Sequence, residues 1–126
     1  NGYKLAIATA KGEIQTKLLL KRLGLSKYFD LVVGYRYGKP ELRPKPNPDM
    51  ILHIIKRLKS DKEKTIMIGD TQLDVYAGIN AGVHPIAVKS GVGLGIAKMK
   101  KLKAAKPDAI IKSVKELPNY LKMVNL

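Results

Sequence analysis

Two aspartates, Asp70 and Asp74, stand four residues apart just after a short apolar run, Thr65-Ile66-Met67-Ile68, and a glycine. If that run is a strand and a helix follows, Asp70 ends the strand and Asp74 lies one turn into the helix, so both carboxylates face the same point above the sheet. Two carboxylates and a few waters suit a hard cation such as Mg²⁺. Upstream, Lys45 is a cation held between Pro44 and Pro46, and Thr9 offers a hydroxyl beside the backbone N–H groups of Ala10 and Lys11, expected to be free. Donors, a point charge and a metal are what a transferring phosphoryl group requires.

Each residue also has a plainer reading. An Asp near a helix start commonly caps the helix or meets its dipole, a lone Lys usually lies at the surface, and a strand-end Thr often closes a turn. The order of Thr9, Lys45 and the Gly69-Asp70 turn along the chain favours the metal and phosphate reading. Gly91-Val92-Gly93-Leu94-Gly95 lacks the third glycine of a dinucleotide fingerprint, because Ile96 stands there, and is read as a flexible loop on the substrate side. His53 and His84 have no partner in the pattern and are read as structural.

The elements that would position these residues follow from periodicity. Tyr3 to Ala8 predicts a buried strand, with Thr9-Ala10-Lys11-Gly12 as the loop at its end. From Glu13 to Leu23 the apolar residues Ile14, Leu18, Leu19 and Leu23 fall at helical spacing, and Gly24 stands where a glycine stops a helix. Phe29 to Val33 is a second strand and Gly34 to Asn47 a long proline-rich loop. Asn47 is placed as the N-cap, and Pro48 as the first residue, of a helix to about Leu58. Thr65 to Ile68 is a third strand, followed by a helix to Ala81 stopped by Gly82; His84 to Val88 is a fourth. Ser90 to Gly95 is a loop, Ile96 to Ala105 a basic helix, Ala109 to Ile111 a last strand, and Ser113-Val114-Lys115-Glu116 a capping box opening the terminal helix. Short apolar strands alternating with helices predict an α/β fold, a three-layer sandwich around a mostly parallel, Rossmann-like sheet. Such sheets carry their chemistry on loops at the C-terminal strand ends. Residues 1–126 read as one unit, without repeat or linker.

Composition bounds the partners. With 45% hydrophobic and 27% charged residues the chain is a folded globular protein rather than a disordered one. The absence of cysteine leaves any metal to oxygen ligands or the two histidines. No apolar run approaches the roughly 18 residues of a membrane-spanning helix, which fits a cytoplasmic protein. The net charge of +14 would attract phosphorylated metabolites, nucleic acid or an acidic partner alike. Most lysines are dispersed, as on a solvated surface; the dense run is Lys98-Met99-Lys100-Lys101-Leu102-Lys103. A non-catalytic basic module for nucleic acid or an acidic partner is therefore the rival reading.

Thr9 at a strand end, Lys45 before a proline-rich helix start, and Gly69-Asp70-x-x-x-Asp74 after a strand resemble motifs II, III and IV of the haloacid dehalogenase superfamily, in the same order. The segments GYKLAIATAKGE, LGLSKYFDLVVG, RPKPNPDM, IMIGDTQLDVYAGINAG and DAIIKSVKELP are similar to phosphoglycolate phosphatases and their close phosphatase relatives. The resemblance implies Mg²⁺-dependent hydrolysis of a small phosphorylated metabolite. Thr9 would hydrogen-bond the phosphoryl group, beside Ala10 and Lys11. Lys45 would neutralise charge on phosphate and nucleophile, and Asp70 with Asp74 would hold Mg²⁺. The family's first motif, an Asp-x-Asp pair whose leading carboxylate attacks phosphorus, has no counterpart here.

The chain is thus expected to be the C-terminal portion of a core domain, lacking its first strand and cap, and inactive alone. What separates a phosphatase from a mutase or dehalogenase lies in those other parts. In the family the first strand lies between the strands represented by Tyr3 to Ala8 and Thr65 to Ile68. Without it two unpaired edges face a gap. Three outcomes are expected: another chain supplies the strand, the flanking strands close up, or chains associate through the gap. An open slot in a single chain is not expected.

Overall fold

A computed structural model of the chain describes residues 2–36, 42–89 and 95–126. Its elements are β1 (Ala6–Gly12), α1 (Glu13–Arg22), β2 (Leu31–Tyr35), α2 (Asp49–Leu58), β3 (Ile66–Gly69), α3 (Gln72–Ala81), β4 (His84–Val88), α4 (Ile96–Ala104), β5 (Ala109–Ile111) and α5 (Leu117–Met123). All strand pairs are parallel, as expected of short apolar strands joined by helices. The strands form two sheets, β1-β2 and β3-β4-β5. Gly38 and Pro40 of the predicted long loop, and Ser90 to Leu94 of the predicted glycine-rich loop, lie outside the described residues.

Alternation along β4 builds the layers. Ala87 packs with Val75 of α3 and Leu102 of α4, whereas Ile86 and Val88 pack with Ile111, Leu117 and Tyr120 on the side of α5. Helix α2 joins through Ile51, which meets Ala77, Ala81 and Val83. Gly78 permits the close approach of α3 to the sheet, since a Cβ there would stand 3.1 Å from Met67 Cβ and 3.2 Å from Pro85 Cβ.

Several local expectations are corrected. Thr9 to Gly12 is not a loop but the continuation of β1 through a bulge: Ala8 pairs with Val33 and Gly12 with Tyr35, leaving Thr9, Ala10 and Lys11 opposite Gly34 alone. A Cβ on Gly34 would lie 2.7 Å from Glu13 Cα and Lys11 O, so only glycine lets the bulge close. The first residue of α1, Glu13, is buried. Its carboxylate accepts from Gly34 N at 3.1 Å and from Arg36 Nε at 3.1 Å. Burial alone would raise its pKa, but the Gly34 N–H, Arg36 and Lys17 together hold it below the usual carboxylate range.

The predicted apolar face of α1 points outward, with Ile14 72%, Leu18 52% and Leu23 60% exposed, and Leu20 is the apolar residue it buries, beside Glu13. Asn47 does not cap α2; its side chain donates to Pro44 O at 3.0 Å, and the helix begins at Asp49, behind Pro48. The capping box at Ser113 is absent: Glu116 accepts instead from Lys112 N at 2.9 Å, ahead of a helix that starts at Leu117. Among the described residues no helix is long and apolar enough to cross a membrane.

His84, read as partnerless, is a junction. Its Nδ1 meets Asp108 Oδ2 at 3.0 Å and its Nε2 meets Glu63 O at 2.7 Å. Both partners are acceptors, so only the imidazolium satisfies both. The Glu63 carbonyl first, then Asp108, hold its pKa above the ordinary value against burial. A raised pKa stabilises the fold fully below the unfolded value of about 6.5, and that stability is lost as pH rises through the folded value. The thermal midpoint should therefore fall as pH rises above about 6.5, and His84→Gln should flatten that slope; an unchanged slope in the variant would place the titration elsewhere.

The edges of β1 and β3 do not meet. Between them lies a cavity of about 930 Å³ walled by Leu5, Ile7, Ile66 and Ile68, with Ile51 and Ile55 of α2 beneath. The flanking strands have not closed up; the slot that was not expected in a single chain is open.

Candidate functional site

The site grows from the start of α3. Thr71 is its N-cap in extended conformation. The Thr71 hydroxyl accepts from Asp74 N at 3.3 Å and donates to Asp74 Oδ2 at 3.0 Å, and Thr71 N donates to the same oxygen at 3.1 Å. This is a reciprocal capping box, and it fixes the Asp74 carboxylate against the end of β3. Gly69 leaves the room: a Cβ there would fall 2.2 Å from Asp74 Cγ.

The other carboxylate oxygen, Asp74 Oδ1, accepts from Lys45 Nζ at 2.6 Å, and Lys45 Nζ also donates to Ala8 O at 3.3 Å. Lys45 therefore links the last regular residue of β1 to the first turn of α3. Its loop is held from both sides, because Asn80 Nδ2 donates to Pro46 O at 2.9 Å and Arg43 Nε pairs with Asp49 at 3.0 Å. The Lys45–Pro46 peptide is cis.

Asp70 lines the same cavity as Ala8, Lys45 and Asp74. It is half-buried, and among the described residues its carboxylate has no hydrogen-bond or ion-pair partner. It also borders a smaller cavity of about 440 Å³ with Lys89, Ser113 and Val88. Thr9, Ala10 and Lys11 adjoin the large cavity through Ala8 but do not line it. The Lys11 N–H expected to be free donates to Thr9 Oγ1 at 3.1 Å, which leaves the Thr9 hydroxyl proton to donate elsewhere. His53 Nε2 is buried without a partner among the described residues. Burial first, then Arg36 and Arg57, lowers its pKa.

The structure thus pairs Lys45 with Asp74 and sets Asp70 in the same cavity, at the C-terminal ends of β1 and β3. Among the described residues no three His, Cys, Asp or Glu side chains gather into a metal cage. Among the described residues the Asp70 carboxylate is unengaged, whereas that of Asp74 is shared with Lys45 and Thr71; a hard cation that keeps several waters needs one or two carboxylates. Sequence reasoning missed Thr71 and Asn80. Thr71-x-x-Asp74 carries a capping-box signal, whereas nothing local marks Asn80.

The sequence model described as haloacid dehalogenase-like hydrolase matches residues 1–88. "Probable phosphatase IndB" of Dickeya dadantii is 40% identical over 116 residues, 92% of this chain and 47% of that protein. A phosphoglycolate phosphatase of Neisseria meningitidis is 36% identical over 116 residues, 92% of this chain and 48% of that protein. The crystal structure of a predicted phosphatase from Clostridium acetobutylicum superposes with a TM-score of 0.79 at 31% identity, covering 99% of this chain and 54% of the other. The chain spans about half the length of these relatives.

Proposed function

The chain belongs to the haloacid dehalogenase-like hydrolase family, and from that premise we propose that the intact protein is a Mg²⁺-dependent phosphoric monoester hydrolase acting on a small phosphorylated metabolite. Residues 1–126 form the C-terminal portion of its core domain. The observation that carries the reading is the convergence of Lys45, Asp70 and Asp74 in one cavity. The phosphatase names of the relatives support it.

Asp70 and Asp74 would hold the metal, and Mg²⁺ would supply positive charge at the phosphoryl group. Asp74, locked by Thr71, keeps Lys45 Nζ at the cavity, where the ammonium offsets charge that develops during transfer. Thr9 donates its hydroxyl proton to a phosphoryl oxygen, next to the backbone of Ala10 and Lys11. None of these carboxylates is left to attack phosphorus, so the chain by itself does not turn over.

Calorimetric titration with MgCl₂ tests the metal assignment directly. Asp70→Asn should weaken binding by at least about tenfold, the loss typical even of an outer partner. If Asp70→Asn binds Mg²⁺ as the parent does, the assignment is wrong. The exposed lysines of α4, Lys98, Lys100, Lys101 and Lys103, support the second reading, nucleic-acid binding. That binding would fall steeply with salt and ignore Mg²⁺.

A further inference from the structure

We infer that Glu13 is a positioning residue: its buried carboxylate holds the bulge of β1 closed, and through the bulge it sets the Thr9 hydroxyl for a phosphoryl group. The inference rests on the reading of Thr9 as a phosphoryl donor and adds to it a residue outside the cavity.

Among the described residues the buried charged side chains are Glu13 and Asp74, with 8% and 6% of their surfaces exposed. Asp74 lines the cavity with Lys45 and Asp70, whereas Glu13 does not. A carboxylate leaves water at a cost that hydrogen bonds and opposite charge must offset, and Glu13 has both. Its Oε1 accepts from Gly34 N and from Arg36 Nε, each at 3.1 Å. Its Oε2 accepts from Arg36 Nε at 3.1 Å and lies 3.6 Å from Lys17 Nζ.

These contacts meet at the bulge. Gly34 is buried and stands opposite Thr9, Ala10 and Lys11, between the pairs Ala8↔Val33 and Gly12↔Tyr35. A bulge disrupts the ladder locally, and a buried backbone N–H must still find an acceptor. For Gly34 the acceptor is the Glu13 side chain. Glu13 follows Gly12, the last residue of β1, and begins α1. The residue at which the chain turns from strand to helix therefore also clamps the bulge to β2.

The bulge in turn shapes the donors. Within it Lys11 N donates to Thr9 Oγ1 at 3.1 Å, a local bond that fixes the hydroxyl oxygen and leaves its proton for a ligand. Such side-chain to backbone bonds compete with regular strand pairing. Strand side chains alternate between faces, so a slip of β1 by one residue would turn Thr9 to the other face. Ala8, beside it, accepts from Lys45 Nζ at 3.3 Å, and a slip would also carry the hydroxyl out of its setting next to that ammonium.

The test uses the full 126-residue chain and inorganic phosphate in the presence of MgCl₂. Ionic strength is held fixed, because a net charge of +14 gathers anions without any site. Affinity is read from the amide shifts of Thr9, Ala10 and Lys11, and the register from the Gly12–Tyr35 contact across the strands. Thr9→Val and Glu13→Ala should each weaken phosphate binding by about tenfold, the loss typical of an outer partner. The double variant should be no weaker than Glu13→Ala by more than about threefold, because residues acting as one unit are not additive. Glu13→Gln keeps an oxygen for Gly34 N and Arg36 Nε and should bind phosphate close to the parent. Parental binding by Glu13→Ala, losses that add in the double variant, or Glu13→Gln as weak as Glu13→Ala would overturn the inference. Parental binding by Thr9→Val would overturn it together with the role of Thr9; the metal assignment is decided separately, by the MgCl₂ titration of Asp70→Asn. Should Glu13→Ala not fold, Glu13→Asp takes its place, its carboxylate one methylene short of Gly34 N. The same loss is expected of it, and parental binding would overturn the inference.

Discussion

Asp74→Ala should destabilise the fold by about 3 kcal/mol, the lower end of what breaking a buried ion pair costs. The carboxylate has 6% of its residue surface exposed, and both oxygens are engaged, one by Lys45 at 2.6 Å and the other by the two Thr71 donors. Losing the cap alone is worth about 1 kcal/mol. The larger share comes from Lys45, whose ammonium would keep only Ala8 O as a partner in a sheltered cavity. Its side chain is partly exposed and can turn toward solvent, which is why the lower end applies. Urea unfolding of Asp74→Ala, Lys45→Met and the double variant closes a cycle. A coupling of about 1–3 kcal/mol is expected. A coupling near zero would show that the pair is solvated and that Asp74 does not position Lys45.

Leu102→Ala should cost about 3 kcal/mol, within the range for truncating a buried leucine. Leu102 is fully buried among Val75, Ala87 and Ala105 and is the residue that α4 buries. The lysines around it face solvent, and Lys100→Ala should change stability by no more than about 0.5 kcal/mol. The contrast between the two, read from urea midpoints with unchanged slopes, tests whether α4 is docked through one side chain. Comparable small effects would mean that it is not docked.

These two residues show where the sequence was legible. Parallel strands from short apolar runs placed Thr9, Lys11, Lys45, Asp70 and Asp74 on one rim; the structure sets Lys45, Asp70 and Asp74 in one cavity, whereas Thr9 and Lys11 do not line it, because the bulge carries β1 on past them. Leu102 was hidden because its neighbours are lysines and a single anchor gives no periodicity. The reverse held for α1: Ile14, Leu18 and Leu23 have helical spacing, but spacing shows that a face is apolar, not what covers it. Asn47 has the chemistry of a cap, yet the bent proline run brings the Pro44 carbonyl within reach first. Glu13, Arg36 and Asn80 act across 21 to 34 residues of chain, distances at which no local pattern is informative.

The division into two sheets also governs how the molecule loosens. Among the described residues the buried clusters lie in α2 and the elements that follow it, whereas β1, α1 and β2 contribute Leu20 and Val33 to the buried apolar residues. Free energy of local opening tracks such buried contacts. The N-terminal third is thus a separate, weaker cooperative block, tied to the rest by α2 and by the hydrogen bonds of Tyr3, Lys4 and Lys45, and it opens before the C-terminal block does.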